Sequence, residues 1–222
     1  MEPGTICLFL LLVAAYAVGM LAVGRRGPLP YRILAWLPGI TIPVEALALV
    51  VGSHFRNNHW VYNGWLPLEC GSLLLIFYTG AGHPVTKRLL KWLLLFLPAG
   101  MAGCYAVSFT LRSINVYAML LFLFCELIGG FIFLTDCLLS SDDVSIFRHP
   151  LSWTAVGVIL YACVFILTHA TWVFTITSTI SRSWYGGLIL LGNTLLYGFM
   201  MRTFFAVWRG RAASLKRPRT LA

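Results

Sequence analysis

The sequence predicts an all-α, polytopic membrane protein: a bundle of seven transmembrane helices. Three observations predict it. Of 222 residues, 59% are hydrophobic and 10% charged, whereas a soluble domain carries about 25% charged residues. The apolar residues gather into seven runs of about twenty, each long enough to cross the hydrocarbon. The charges fall between and after those runs. A soluble chain of this size can bury one core; it cannot hide seven such segments.

The predicted spans run approximately over Thr5–Val23, Ile33–Val51, Trp60–Tyr78, Leu89–Phe109, Val116–Leu139, Leu151–Phe174 and Trp184–Val207. The first lacks the positive n-region of a signal peptide and is followed by Arg25 and Arg26 as a stop-transfer charge, so it reads as an uncleaved helix. No connection exceeds about a dozen residues, within the usual range for compact bundles. The chain divides into a seven-helix domain, 1–208, and a basic tail, 209–222, with Lys216-Arg217-Pro218-Arg219, too polar to build a core and expected to be unstructured.

Lys and Arg in alternate connections number three (Arg25, Arg26, Arg32), three (Lys87, Arg88, Lys91), one (Arg148) and six from Arg202 onward, thirteen on that side, against Arg56, Arg112 and Arg182 on the other. The positive-inside rule then places the N-terminus outside and the C-terminus in the cytoplasm, in a plasma (inner) membrane. The net charge of +9 reads as orientation and attraction to anionic headgroups. Nucleic acid is not an expected partner, because that requires basic residues gathered on one soluble face.

Cys7, Cys70, Cys104, Cys125, Cys137 and Cys163 form no CxxC pair and read as small apolar packing residues. Cys70 and Cys104 fall in the same predicted half of the membrane, where a disulfide depends on geometry that spacing does not test. Trp60, Tyr62 and Trp65 open the third span and Trp184 and Tyr185 the seventh, as interfacial anchors do. Ala15 with Gly19 and Ala99 with Gly103 have the spacing for close helix approach.

Three glutamates stand out, because a carboxylate at a helix centre in hydrocarbon costs roughly 2.5–3.5 kcal/mol on insertion scales. They are Glu45 in the second span, Glu69 in the third and Glu126 in the fifth. At ~1.5 Å per residue the three reach one layer outward of the midplane. His169 in the sixth span and Asn193 in the seventh reach it too. If these groups converge they make an acidic pocket; if they do not, they are separate protonated side chains bonding helix to helix. No Lys or Arg lies at that depth, so balance requires neutral glutamates, a protonated His169 or a bound cation. Pro43-Val44-Glu45 and Pro67-Leu68-Glu69 repeat a pattern in which proline frees a carbonyl one turn earlier, with Pro38 preceding the first. Broken helices of this kind bind ions in transporters.

The remaining polar groups are weaker signals. Asp136 and the pair Asp142-Asp143 read as solvated or paired with Arg148, and His54, His59, His83 and His149 as facing water. There is no HExxH, spaced Cys/His cluster or Gly-rich phosphate loop. No mid-depth lysine in the seventh span offers a retinal Schiff base.

Three segments carry a resemblance: Glu69 to Tyr78; Arg148-His149-Pro150-Leu151-Ser152-Trp153 leading to Gly157 and Leu160-Tyr161; and Gly192-Asn193-Thr194-Leu195-Leu196-Tyr197. Together they resemble a large group of bacterial seven-helix membrane proteins that often accompany sensor kinases. The resemblance implies signal reception and marks Glu69, Pro150, Trp153 and Asn193, although Ser152 stands where that group has an aromatic.

The expected function is a membrane sensor or receptor-like protein. Its pocket, formed by Glu45, Glu69, Glu126, His169 and Asn193, binds a small cationic or polar ligand or protons, with no cofactor and no metal. Short loops then call for a cytoplasmic or membrane signalling partner beside the lipid bilayer. The alternatives are a proton-coupled secondary transporter and an intramembrane lipid-modifying enzyme with a glutamate and His169 as acid and base.

Overall fold

A computed structural model describes residues 3–24, 27–108, 115–139, 149–175 and 180–216, without the side chains of 108, 170–175, 180–183 and 211–216. The described residues form seven helices: α1 (Pro3–Val23), α2 (Leu29–Phe55), α3 (His59–Gly80), α4 (Pro84–Ser108), α5 (Val116–Leu139), α6 (Leu151–Thr175) and α7 (Ile180–Lys216). Six are long and apolar enough to cross a membrane. The other, α3, is 22 residues long and more polar, yet α2 and α4 adjoin it through three-residue links, 56–58 and 81–83. With no slack at either end, α3 runs the full depth between them. Its polar Asn63 and Glu69 are buried, so its polarity faces the protein.

Local chemistry sets the helix ends. Gly24 takes the left-handed conformation (φ 62°) and its N–H returns to the Met20 carbonyl at 3.0 Å, ending α1. Asn115 precedes α5, and its Oδ1 accepts from the Ala118 N–H at 3.0 Å, an N-cap bond. α7 continues through Arg209 to Lys216, where an unstructured tail is expected from sequence. Arg, Ala, Leu and Lys are good helix formers, and Pro218 follows two residues later. Residues 217–222 lie outside the described residues, as do Arg25, Arg26, Arg112, Asp142-Asp143 and Arg148.

The helices close a ring in the order α1, α2, α3, α5, α6, α7 and back to α1, while α4 packs outside it against α3 and α5. Glycines set the closest approaches. A Cβ on Gly157 of α6 would lie 2.6 Å from the Phe199 Cβ of α7, and one on Gly129 of α5 would collide with Leu74 of α3. Gly19, with buried Ala15 one turn before it, packs against Phe204 and Ala35. Ala99 and Gly103 face outward; the small residue of α4 that touches a neighbour is Gly100, against Leu121. Spacing alone does not choose between the two faces of α4, because this helix is peripheral.

Polar clasps tie the ring at both ends. At the α2–α3 end, Asn63 Oδ1 accepts from the Asn115 N–H (3.0 Å) and Asn115 Nδ2 donates to the Cys104 carbonyl (3.1 Å), joining α3, α4 and α5. At the α3–α4 end, the Asp136 carboxylate accepts from the backbone N–H groups of Gly82 (2.7 Å) and His83 (2.9 Å). Asp136 is buried and not solvated, while Arg148, the partner expected from sequence as the alternative, lies outside the described residues. Its charge is met by two N–H donors at the start of α4, where a helix favours an anion. Nearby, Thr203 of α7 donates to the Pro150 carbonyl at 3.1 Å, and Arg202 lies 4.8 Å over the Trp153 ring. All six cysteines are free thiols; Cys70 is directed at the Phe122 carbonyl (3.6 Å), away from Cys104.

Candidate functional site

Inside the ring lies a cavity of about 310 Å³, lined by residues of α1, α2, α3, α5, α6 and α7 but not α4. It reaches from Asn58 and His59, at the α2–α3 connection, to Thr41 and Tyr197 deeper in the bundle. Four of the five residues expected from sequence line it: Glu45, Glu69, His169 and Asn193. Glu126 does not. It sits behind Glu69, buried, with Oε2 lacking a hydrogen-bond partner among the described residues. The three carboxyls nevertheless feel one another in series, Glu45 with Glu69 and Glu69 with Glu126.

Each carboxyl at the cavity wall has one aromatic donor. Tyr62 of α3 donates its hydroxyl to Glu45 Oε2 of α2 at 2.9 Å, bridging the two helices. The Trp65 indole, one turn before Glu69, hydrogen-bonds that carboxyl. Tyr62, Trp65 and Glu69 are spaced i, i+3 and i+7, so they share a helix face. The group of interfacial anchors expected from sequence therefore divides. Trp60 and Trp184 are exposed, whereas Trp65 is buried and Tyr62 and Tyr185 turn to the cavity.

On α6, Tyr161, Phe165 and His169 repeat every four residues and form a ladder of rings. His169 Nδ1 lies 2.8 Å from the Phe165 carbonyl and Nε2 lies 3.2 Å from the Tyr185 hydroxyl. A carbonyl only accepts, so Nδ1 carries the proton and Nε2 accepts from Tyr185 in a neutral ring. Both ring nitrogens are engaged, neither by a glutamate, so His169 is not paired directly with the acids. Gly192 of α7 lets this ladder seat: a Cβ there would fall 2.7 Å from the Phe165 ring. Asn193 donates from Nδ2 to the Ile189 carbonyl on its own helix (2.9 Å).

The carbonyl that Pro67 frees is not open to a ligand. It is Asn63 O, four residues earlier, and the Tyr105 hydroxyl of α4 donates to it at 2.6 Å. The repeated proline pattern thus serves helix packing at α3. His59 and His149 also depart from the water-facing positions expected of them. His59 lines the cavity and His149 lies edge-on to Phe133 (5.5 Å), each with a buried Nδ1 lacking a hydrogen-bond partner.

The sequence reading missed the aromatic wall of Tyr62, Trp65, Tyr161, Phe165, Tyr185 and Tyr197. Its signal was present as i, i+3, i+4 spacing toward Glu69 and His169. Of the four residues marked by the family resemblance, Glu69 and Asn193 meet at the cavity, while Pro150 and Trp153 lie at the other end of the bundle. The cavity's described lining holds two carboxyls, several rings and no Lys or Arg. Among the described residues no three His, Cys, Asp or Glu side chains are grouped to hold a metal ion. Compared with family models, curated proteins and solved structures, the chain, a seven-helix protein with membrane-length apolar helices, finds no match.

Proposed function

We propose that this protein is a membrane sensor or receptor-like protein whose intramembrane cavity binds a small cationic ligand. The observation that carries the reading is a cavity with Glu45 and Glu69 on its wall and no basic side chain in its described lining. A bound cation supplies the missing charge at low cost, because the aromatic wall excludes water and offers negative ring faces. The excess of Lys and Arg on alternate connections sets the α2–α3 end outside, so the cavity belongs to the outer half of the membrane.

Signalling follows from the ring. A ligand touching six helices biases their packing if it binds one arrangement more tightly than another. The inner connections and the cytoplasmic end of α7 then present a changed surface to a signalling partner. The resemblance at Glu69 and Asn193 to bacterial seven-helix proteins that accompany sensor kinases supports this use of the site.

Transport is the second reading, favoured by Pro38, Pro43 and Pro67 within α2 and α3. Methylammonium uptake by proteoliposomes, measured beside methylammonium binding to the detergent-solubilised protein, separates the two. Binding without flux, lost in Glu69→Gln, is the expected result. Flux that collapses in Glu69→Gln turns the assignment to transport, and a wild-type protein that binds no cation removes the cationic-ligand reading.

A further inference from the structure

The cavity wall is aromatic as well as acidic. Resting on the proposed cation-binding role, the geometry points to a narrower ligand class: a primary ammonium ion carrying one flat apolar body, its nitrogen at Glu45 and Glu69 and its body against Tyr161 and Phe165.

Three features select it. First, the two carboxyls come from neighbouring helices and face one cavity. Tyr62 occupies Oε2 of Glu45, and the acids' remaining acceptor capacity suits a group with several N–H donors. An –NH3+ group has three such donors, and a quaternary ammonium has none. Secondly, Tyr161 and Phe165 lie with ring centroids 4.4 Å apart and tilted by 39°, presenting ring surface one to two turns from His169. Rings so placed favour a planar partner in offset or edge-on contact. Thirdly, about 310 Å³ holds on the order of ten water-sized groups at ~30 Å³ each. That is room for one ring and a short ammonium arm.

His169 does not compete for the nitrogen, since Phe165 and Tyr185 engage both ring nitrogens. Asn193 gives its amide nitrogen to Ile189 and keeps its Oδ1 as a further acceptor on the cavity wall. Glu126, behind Glu69, makes no contact with the cavity.

The test uses the full chain in nanodiscs and four probes: 2-phenylethylammonium, n-propylammonium, tetramethylammonium and the uncharged 2-phenylethanol, with binding followed by calorimetry. The expected result is that 2-phenylethylammonium binds at least about tenfold more tightly than each of the others. Phe165→Ala should weaken 2-phenylethylammonium more than n-propylammonium and so erase its advantage over it. Glu69→Gln should erase its advantage over 2-phenylethanol. Equal binding of the two primary ammonium ions overturns the flat-body inference but leaves cation binding standing. Tetramethylammonium binding as tightly as 2-phenylethylammonium overturns the primary-ammonium inference in the same way. Equal binding of 2-phenylethanol, or no binding by any cation, overturns this inference and the proposed cationic ligand together. The wild-type comparison decides these outcomes even where a variant fails to fold.

Discussion

Replacing Glu126 by methionine should stabilise the protein and leave ligand binding intact, the reverse of what the same change does at Glu69. Glu126 is 3% exposed, and its Oε2 has no hydrogen-bond partner among the described residues. A buried polar atom without a partner forfeits roughly 1–3 kcal/mol in desolvation. Methionine has similar length, flexes to fill an irregular site and carries no such penalty. Replacing a buried polar or ionic group by an apolar one of the same shape is often neutral or favourable. The expected gain is therefore about 1–3 kcal/mol, which at roughly 2–4 °C per kcal/mol for a chain of this size raises the melting temperature by several degrees. Thermal unfolding in detergent, followed by tryptophan fluorescence with and without the cationic probe, measures both quantities. A variant that melts lower, or that keeps its melting temperature but no longer binds the probe, would refute the separation of Glu126 from the cavity. The third acid would then belong to the site.

Four further outcomes follow from the packing and the end clasps. Asp136→Ala should destabilise by about 2–4 kcal/mol, since it removes two charge-assisted bonds to Gly82 and His83, worth ~1.5–3 kcal/mol each before water partly replaces them at the exposed backbone; denaturant unfolding checks this. Gly157→Ala should destabilise by about 1–2 kcal/mol, because the new methyl meets the Phe199 Cβ, which is tied to its backbone, and overpacking outweighs alanine's ~1 kcal/mol helix advantage. Gly198→Ala, with nothing within 4 Å, should gain up to that ~1 kcal/mol. Burial holds the His149 imidazole below its ordinary pKa, against the opposing pull of Asp136. The unfolded chain therefore takes up this proton first. Stability should be full above about pH 6.5 and decline as pH falls below it toward the folded-state value. Melting temperatures from pH 8 to 5 for wild type and His149→Gln, in which that slope is reduced, check the sign.

The sequence by itself determined the architecture, because membrane solvent imposes it locally. Each apolar run must satisfy its own backbone within itself, so seven runs become seven helices whatever their order in space. The same logic singled out Glu45, Glu69, Glu126, His169 and Asn193, since polar side chains at that depth are costly wherever they point. What a helix faces is another matter. Glu126 and Glu69 have the same depth and the same apolar surroundings along the chain, yet one lines the cavity and the other stands behind it. Tyr62 and Trp65 look like anchors from their position at a span end, and only the approach of α2 and the burial of that face turn them toward the acids. Asp136, near the end of the fifth span, reads as solvated or paired with Arg148 until the α3–α4 link brings the Gly82 and His83 N–H groups to it. The order of the ring and the exclusion of α4 from it decided all three. Membrane-length apolar helices carry no local mark of which neighbours they will touch, and glycines such as Gly129 and Gly157 set those contacts only when the partner side chain arrives.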